Sequence, residues 1–261
     1  MDVTPEITKN SIINLFENEE RGDGRSLDEY RDISIETNII SKAEGSARVK
    51  LGGTQVIVGI KPTIGEPFAD TPDVGVLMTN CELLPMADPS FEPGPPSPDS
   101  VELARVVDRG IRESEMVDLK SLCIEEGKKV WMLFIDLHVI DNCGNLFDAA
   151  NLAVNAALQT CKIPKATYVN DEVVIAEETI DVPLNHRVSL STFVKVGDNI
   201  VVDPSLEEQS VLDARISIGS TEEGNICSMQ KGGDSTLTKE EILTCVHTAL
   251  GKNKELIEKL N

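Results

Sequence analysis

The chain has 261 residues, 40% of them hydrophobic, and carries 45 Asp and Glu against 24 Lys and Arg, a formal charge of −21. That length suits one large domain or two intimate halves, and no run approaches the ~18 consecutive apolar residues of a membrane span. The charge excludes attraction of nucleic acid to the surface as a whole, because phosphate binding needs basic groups that release counterions; any such contact must come from a local basic patch.

Met1–Ile7 opens with acids and a proline, without the basic start and apolar middle of a signal peptide, so a soluble cytoplasmic protein with no membrane contact is expected. The spacing then predicts an amphipathic helix over Thr4 to Asn18, with Pro5 early in it and Ile7, Ile12 and Leu15 on one side. Arg21-Gly22-Asp23-Gly24-Arg25 reads as a loop. Strands follow over Ile33 to Ile60, with a hairpin at Gly52-Gly53 and an end at Lys61-Pro62. Asp70 to Leu84 reads as extended, and the six prolines between Pro85 and Pro98 forbid regular structure there.

Ser97-Pro98 is an N-cap followed by a first helical residue. The helix it opens, through Ser114, gathers Leu103, Ala104, Val107 and Ile111 on one face. Arg105, Arg109 and Arg112 form a narrow arc opposite, the most basic feature of an acidic chain. Glu102, Asp108 and Glu113 lie close enough in sequence to pair with them, and on spacing alone a solvated, ion-paired face is the preferred reading.

Strands are predicted over Leu119–Glu125 and Lys129–Asp141, the second apolar enough to be central. Asn142-Cys143-Gly144-Asn145 then turns the chain into an Ala-rich helix over Leu146–Thr160, stopped by Ile163-Pro164. Asp148 reads as a helix cap. Further strands are expected over 172–182, 188–196, 199–203, 214–220 and 225–230, and Thr238-Lys239-Glu240-Glu241 is a capping box opening a last helix. Gly232-Gly233 before Asp234 is too short for a phosphate-binding signature and reads as a loop. Val194-Lys195-Val196-Gly197 echoes Val49-Lys50-Leu51-Gly52, which suggests a duplication. The expectation is an α+β fold of two related βα halves packed together, with an N-terminal extension over 1–30, a first half over 31–165 and a second over 166–261. The six cysteines form no C-x-x-C pair, and the three histidines lie far apart, so free, mostly buried thiols are expected, with no metal and no cofactor.

Four segments resemble one family. Arg21 to Arg31 (RGDGRSLDEYR) resembles the opening of RNase PH-like proteins, and Gly45 to Gly52 (GSARVKLG) is similar to their first hairpin. Glu102 to Arg109 (ELARVVDR) is similar to the arginine-bearing helix of the larger ring subunit of archaeal exosomes. Val202 to Glu208 (VDPSLEE) and Asp213-Ala214-Arg215 are similar to that subunit's second half. The resemblance implies an RNase PH-like fold in a ring that degrades RNA from its 3′ end with inorganic phosphate. It also implies that Arg105 and Arg109 face the RNA backbone; Arg112 extends that face by its place on the helix.

Two departures concern the chemistry. Where catalytic relatives carry a Gly-Ser-Arg phosphate loop, this chain has Gly144-Asn145-Leu146, and no arginine lies between Arg112 and Arg187. Where they carry an Asp after the Glu-Glu pair, this chain has Gln209, leaving Asp213 as a relic of an active site, a residue shaping the neighbouring subunit's site, or a structural turn acid. An amide cannot replace a carboxylate as metal ligand or proton acceptor. The resemblance therefore implies a non-catalytic subunit that binds RNA and helps to structure the active site of a catalytic sister subunit in a hexameric ring, beneath RNA-binding cap proteins. An active phosphate-dependent 3′-5′ exoribonuclease and a purely architectural subunit are the alternatives.

Overall fold

The computed structural model describes residues 6–260. Thr4 and Pro5, where the first helix was expected to begin, lie outside them. The elements in order are α1 (Glu6–Glu17), β1 (Ile33–Thr37), β2 (Gly45–Leu51), β3 (Thr54–Gly65), β4 (Val76–Leu83), α2 (Pro98–Arg112), β5 (Cys123–Glu125), β6 (Lys129–Asp141), α3 (Leu146–Thr160), β7 (Lys162–Val169), β8 (Glu172–Asp181), β9 (Val188–Val196), β10 (Asn199–Val202), α4 (Leu206–Ser210), β11 (Ala214–Thr221), β12 (Ile226–Gly232) and α5 (Lys239–Glu258).

The strands make three sheets: β1-β2-β3-β6-β4 with β5 on the end of β6, β10-β9-β11-β12, and the hairpin β7-β8. Alternation along β6 buries Leu133, Ile135, Leu137 and Val139 on one face. Helix α3 packs between that face and β9 of the second sheet. Every residue of α3 from Phe147 to Leu158 is buried, which its run of alanines permits. The sheet comes so close that a Cβ at Gly45 would sit 2.4 Å from the Ala157 carbonyl oxygen, so only glycine fits. Helix α5 covers β9 and β11. Helix α1 packs on the second half, where Ile12 and Phe16 form a small separate core with Val194, Val196 and Val201.

The two echoing segments end equivalent hairpins. Val49 and Leu51, like Val194 and Val196, are buried, and Gly52 and Gly197 turn the chain at φ of 56° and 62°. Several expected boundaries move. Strand β3 runs on through Pro62 to Gly65; β2 no longer flanks it beyond Ile60, so the missing N–H costs no ladder bond. The extended reading of Asp70–Leu84 shrinks to β4, because 68–74 closes in turns, Thr71 N to Phe68 O at 3.1 Å and Val74 N to Thr71 O at 3.3 Å. Of Leu119–Glu125 only β5 is strand; Lys120–Leu122 is a 3-10 turn capped by Leu119, and the carboxylate of the preceding Asp118 accepts the Lys120 and Ser121 N–H groups. Helix α3 ends at Thr160, and Ile163-Pro164 lies on β7, an edge strand whose register shifts beside the proline. The expected boundary at 165/166 falls inside β7.

Among the described residues all six cysteines are free. Burial pushes the Cys81 and Cys161 thiols up to about 12. Among the described residues no helix is long and apolar enough to cross a membrane.

Candidate nucleic-acid interface

Ser97 caps α2, its hydroxyl accepting the Ser100 N–H at 3.2 Å. The apolar face expected from spacing is buried, Leu103, Ala104, Val107 and Ile111 included. That fixes the rotation of the helix and turns Arg105, Arg109 and Arg112 to the exposed side.

The three arginines are differently engaged. Arg112 donates to Asp108 at 2.9 and 3.0 Å and to the Leu77 carbonyl at 2.9 Å. Arg109 donates to the Gln230 side-chain oxygen at 2.9 Å, a neutral partner on β12. Arg105 has no hydrogen bond or ion pair among the described residues. Of the acids that could have neutralised the arc, Asp108 takes Arg112, and Glu102 instead holds Arg215 at 2.5 Å, whose guanidinium lies 4.3 Å over the Phe147 ring. The ion-paired surface thus accounts for one arginine of three. A groove of about 560 Å³ runs between this edge and β4, lined by all three arginines with Phe68, Met78 and Thr79.

The turn where catalytic relatives would hold phosphate is occupied by protein. The Asn145 N–H donates to the Gln209 side-chain oxygen at 3.1 Å, and the Gly144 N–H to the Asn142 side chain at 3.2 Å. The turn carbonyls at Cys143 and Gly144 accept Arg31, at 2.8 and 3.1 Å. A Cβ at Gly144 would meet the Leu206 nitrogen at 2.5 Å, so the turn is seated hard under α4. Asp213, the surviving acid, accepts Lys9 Nζ at 2.6 Å and the Gly197 N–H at 2.8 Å. Burial acts to raise its pKa, but Lys9 and the Gly197 N–H outweigh burial and hold the carboxyl below the usual range. It therefore ties α1 to the β9-β10 turn. The expected loop at Gly232-Gly233 begins one residue later: Gly232 is the last residue of β12, paired with Arg215, and Gly233, whose carbonyl accepts Lys231 Nζ at 2.5 Å, opens the loop before α5. Among the described residues no three His, Cys, Asp or Glu side chains group so as to hold a metal ion.

Residue-by-residue reading missed a buried charged lock beside this turn. Arg21 donates to both Glu208 oxygens at 2.9 and 2.5 Å, and Arg25 and Arg31 converge on the fully buried Asp203 at 2.7–2.9 Å. The signal was present, since these residues belong to the segments that carry the family resemblance, but a motif does not say what its members touch. Asp148 is likewise no cap. It accepts Tyr30 Oη at 2.8 Å, Asn145 Nδ2 at 2.8 Å, and Thr192 N and Oγ1 at 3.0 and 2.7 Å, joining the two halves. Burial pushes its carboxyl up to about 6 against those four donors. Its native pKa lies above the unfolded value, so the native state binds the extra proton between about pH 4 and 6. Its contribution to stability therefore falls as pH rises through that window and is flat above it. Carboxyl carbon NMR on the folded protein should give Asp148 a midpoint of about 6; one below 3.8 would mean the donors outweigh burial.

The model of the 3′ exoribonuclease family, domain 1, matches residues 29–164, and that of domain 2 matches residues 186–252. The exosome complex component Rrp42 of Methanothermobacter thermautotrophicus is 62% identical over 262 residues, covering 100% of this chain and 97% of that protein. The protein of the same name from Thermococcus gammatolerans is 50% identical over 98% of this chain and 94% of its own length. A solved structure of the Archaeoglobus fulgidus exosome with RNA bound to the active site superposes with a TM-score of 0.91 at 45% identity, covering 98% of each chain. An archaeal exosome core structure superposes at 0.86 and 42%, covering 98% of this chain and 96% of that one.

Proposed function

Because this chain belongs to the RNase PH-type 3′ exoribonuclease family, we propose that it is a non-catalytic, RNA-binding subunit of an archaeal-type exosome ring. The observation that carries the reading is the Asn145 N–H bound by Gln209. Inorganic phosphate needs free backbone donors and a guanidinium aimed at it. Here an amide from the chain itself takes the donor, and Arg31, the guanidinium that touches the turn, is directed onto its carbonyls and Asp203. Asp213, committed to Lys9 and Gly197, offers no free carboxylate to a metal ion.

The chemistry then falls to a catalytic RNase PH-like sister subunit alternating with this one in a hexameric ring, with RNA-binding cap proteins docked on it. The relatives' names and the RNA-bound exosome structure support that assignment. Arg105 and Arg109 hold phosphates of single-stranded RNA, and Arg112, already held by Asp108, has the smaller share. Such contacts position the backbone without reading bases. In the cell the ring works in the cytoplasm.

The test is to incubate the purified chain with single-stranded RNA, phosphate and magnesium, with and without the sister subunit. Nucleoside diphosphates are expected only from the pair. Their release by this chain alone would overturn the reading in favour of an active phosphorolytic enzyme.

A further inference from the structure

Hairpin β7-β8 belongs to neither large sheet. Its two-residue turn is tight, with Asn170 and Asp171 both at positive φ, 52° and 64°. Strand β7 is anchored: Ile163 is buried, and at the tip Lys128 reaches Asp171 at 3.3 Å and lies 4.7 Å over the Tyr168 ring. Strand β8 is not. It pairs with β7 alone, and of its ten residues all but Val173 are exposed. Val174 and Ile175, 53% and 56% exposed, are neighbours in a strand and so point to opposite faces. A free edge of this length, apolar on both faces, is a template for pairing with another chain, and proteins cover or charge such edges.

The surroundings select what covers it. A helix or a flat surface would shield one face and leave the other wet, whereas a strand laid along the edge brings side chains to both. Of the acids on β8, Glu178 holds Lys165 at 2.7 Å and Asp181 stands 3.9 Å from Lys162, but Glu172 and Glu177 have no ion pair among the described residues. These two repel RNA. They also oppose a second copy of this chain, because an antiparallel pairing centred between Val174 and Ile175 brings Glu172 against Glu177 of the other copy. They favour Lys or Arg. The hairpin, moreover, shares a support with the arginine groove. The β5-β6 turn that holds its tip bonds back to the 66–74 loop, Gly127 N to Pro72 O at 2.8 Å and Lys129 to Glu66 at 3.6 Å, and that loop lines the groove beside α2.

We propose that β8 is a docking strand for a basic, RNA-binding protein seated on the ring, which adds a strand of its own to this edge. The incoming strand sets apolar side chains beside Val174 and Ile175, and Lys or Arg beside Glu172 and Glu177. Main-chain hydrogen bonds along the edge supply affinity, and the alternating side chains supply specificity. The inference rests on the subunit reading above, which puts RNA-binding cap proteins on this ring, and it assigns them a seat.

The test uses the ring reconstituted with its sister subunit, a purified cap protein, and amide hydrogen exchange of β8 with and without that protein. Exchange of the β8 backbone amides should slow when the cap protein binds and stay unchanged with single-stranded RNA alone. Val174→Lys with Ile175→Lys should leave the ring assembled and lower cap affinity about tenfold or more, the scale of losing interface anchors. Glu172→Gln with Glu177→Gln should lower it less and flatten its salt dependence. Unchanged affinity in the lysine variant, or no slowing in β8, would overturn the proposal. So would failure of that variant to form the ring, which would give β8 to the sister subunit, or a dimer of the wild-type chain that the variant abolishes. The two levels separate. If the wild-type ring takes up the cap protein and the lysine variant does so equally well, only the docking strand falls; if the wild-type ring takes up no cap protein, the reading of a subunit beneath caps falls with it.

Discussion

Replacing Asp203 by asparagine is expected to remove about 3–5 kcal/mol of folding stability, the usual result of stripping one partner from a buried ion pair. Asp203 is fully buried and sits at φ 48°, a left-handed conformation that asparagine tolerates. The substitution therefore keeps size and backbone while deleting the charge. Arg31 and Arg25 would lose the charged partner they hold at 2.7–2.9 Å, and the one acceptor oxygen of the amide cannot replace both carboxylate oxygens; their side chains are only 11% and 10% exposed. Water cannot reach those guanidinia well enough to compensate. Urea unfolding of the isolated chain measures the loss, and a midpoint within 0.5 kcal/mol equivalent (roughly the scatter of a neutral surface change) would show that the lock is ornamental. The paired change Asp203→Asn with Arg31→Gln should recover part of the stability, because the penalty is the stranded charge.

Charge reversal at Arg105 and Arg109 should weaken RNA binding by the assembled ring by about 1.5–3 kcal/mol per residue, the range for hydrogen bonds to charged groups. The salt dependence discriminates better than the affinity. Each lost single-strand phosphate contact should flatten the plot of log affinity against log salt by about 0.7. The structure also ranks the residues. Arg105 has no competing partner among the described residues, Arg109 must leave Gln230, and Arg112 must leave Asp108 and the Leu77 carbonyl. Effects should therefore decline in that order. Identical affinity and slope in all three variants would leave the helix a purely architectural surface.

Helix α2 shows what a sequence can disclose. Its cap, its proline and its apolar spacing are local facts, so both its extent and its exposed arginine arc follow from a dozen consecutive residues. The fate of each arginine does not. Asp108 lies one turn from Arg112 and could be suspected, but Leu77 and Gln230 come from β4 and β12 and are brought near only by the closed fold. The departures from the catalytic pattern were equally visible as letters at Gly144 and Gln209. That the Gln209 amide fills the place of an anion was not, because the two residues that meet, Gln209 and Asn145, are 64 positions apart. Strand ends failed where an edge excused a proline, as at Pro62, and where an Asp turn displaced a strand, as at Asp118.

The buried lock also orders the chain in time. Arg31 waits 172 residues for Asp203, and Arg21 waits 187 for Glu208. At the ~5–20 residues per second of protein synthesis, the opening guanidinia stay uncompensated for roughly 10–40 s after they are made. The lock therefore closes only after the second half has been made, and the docking of the opening segment onto that half is a late step.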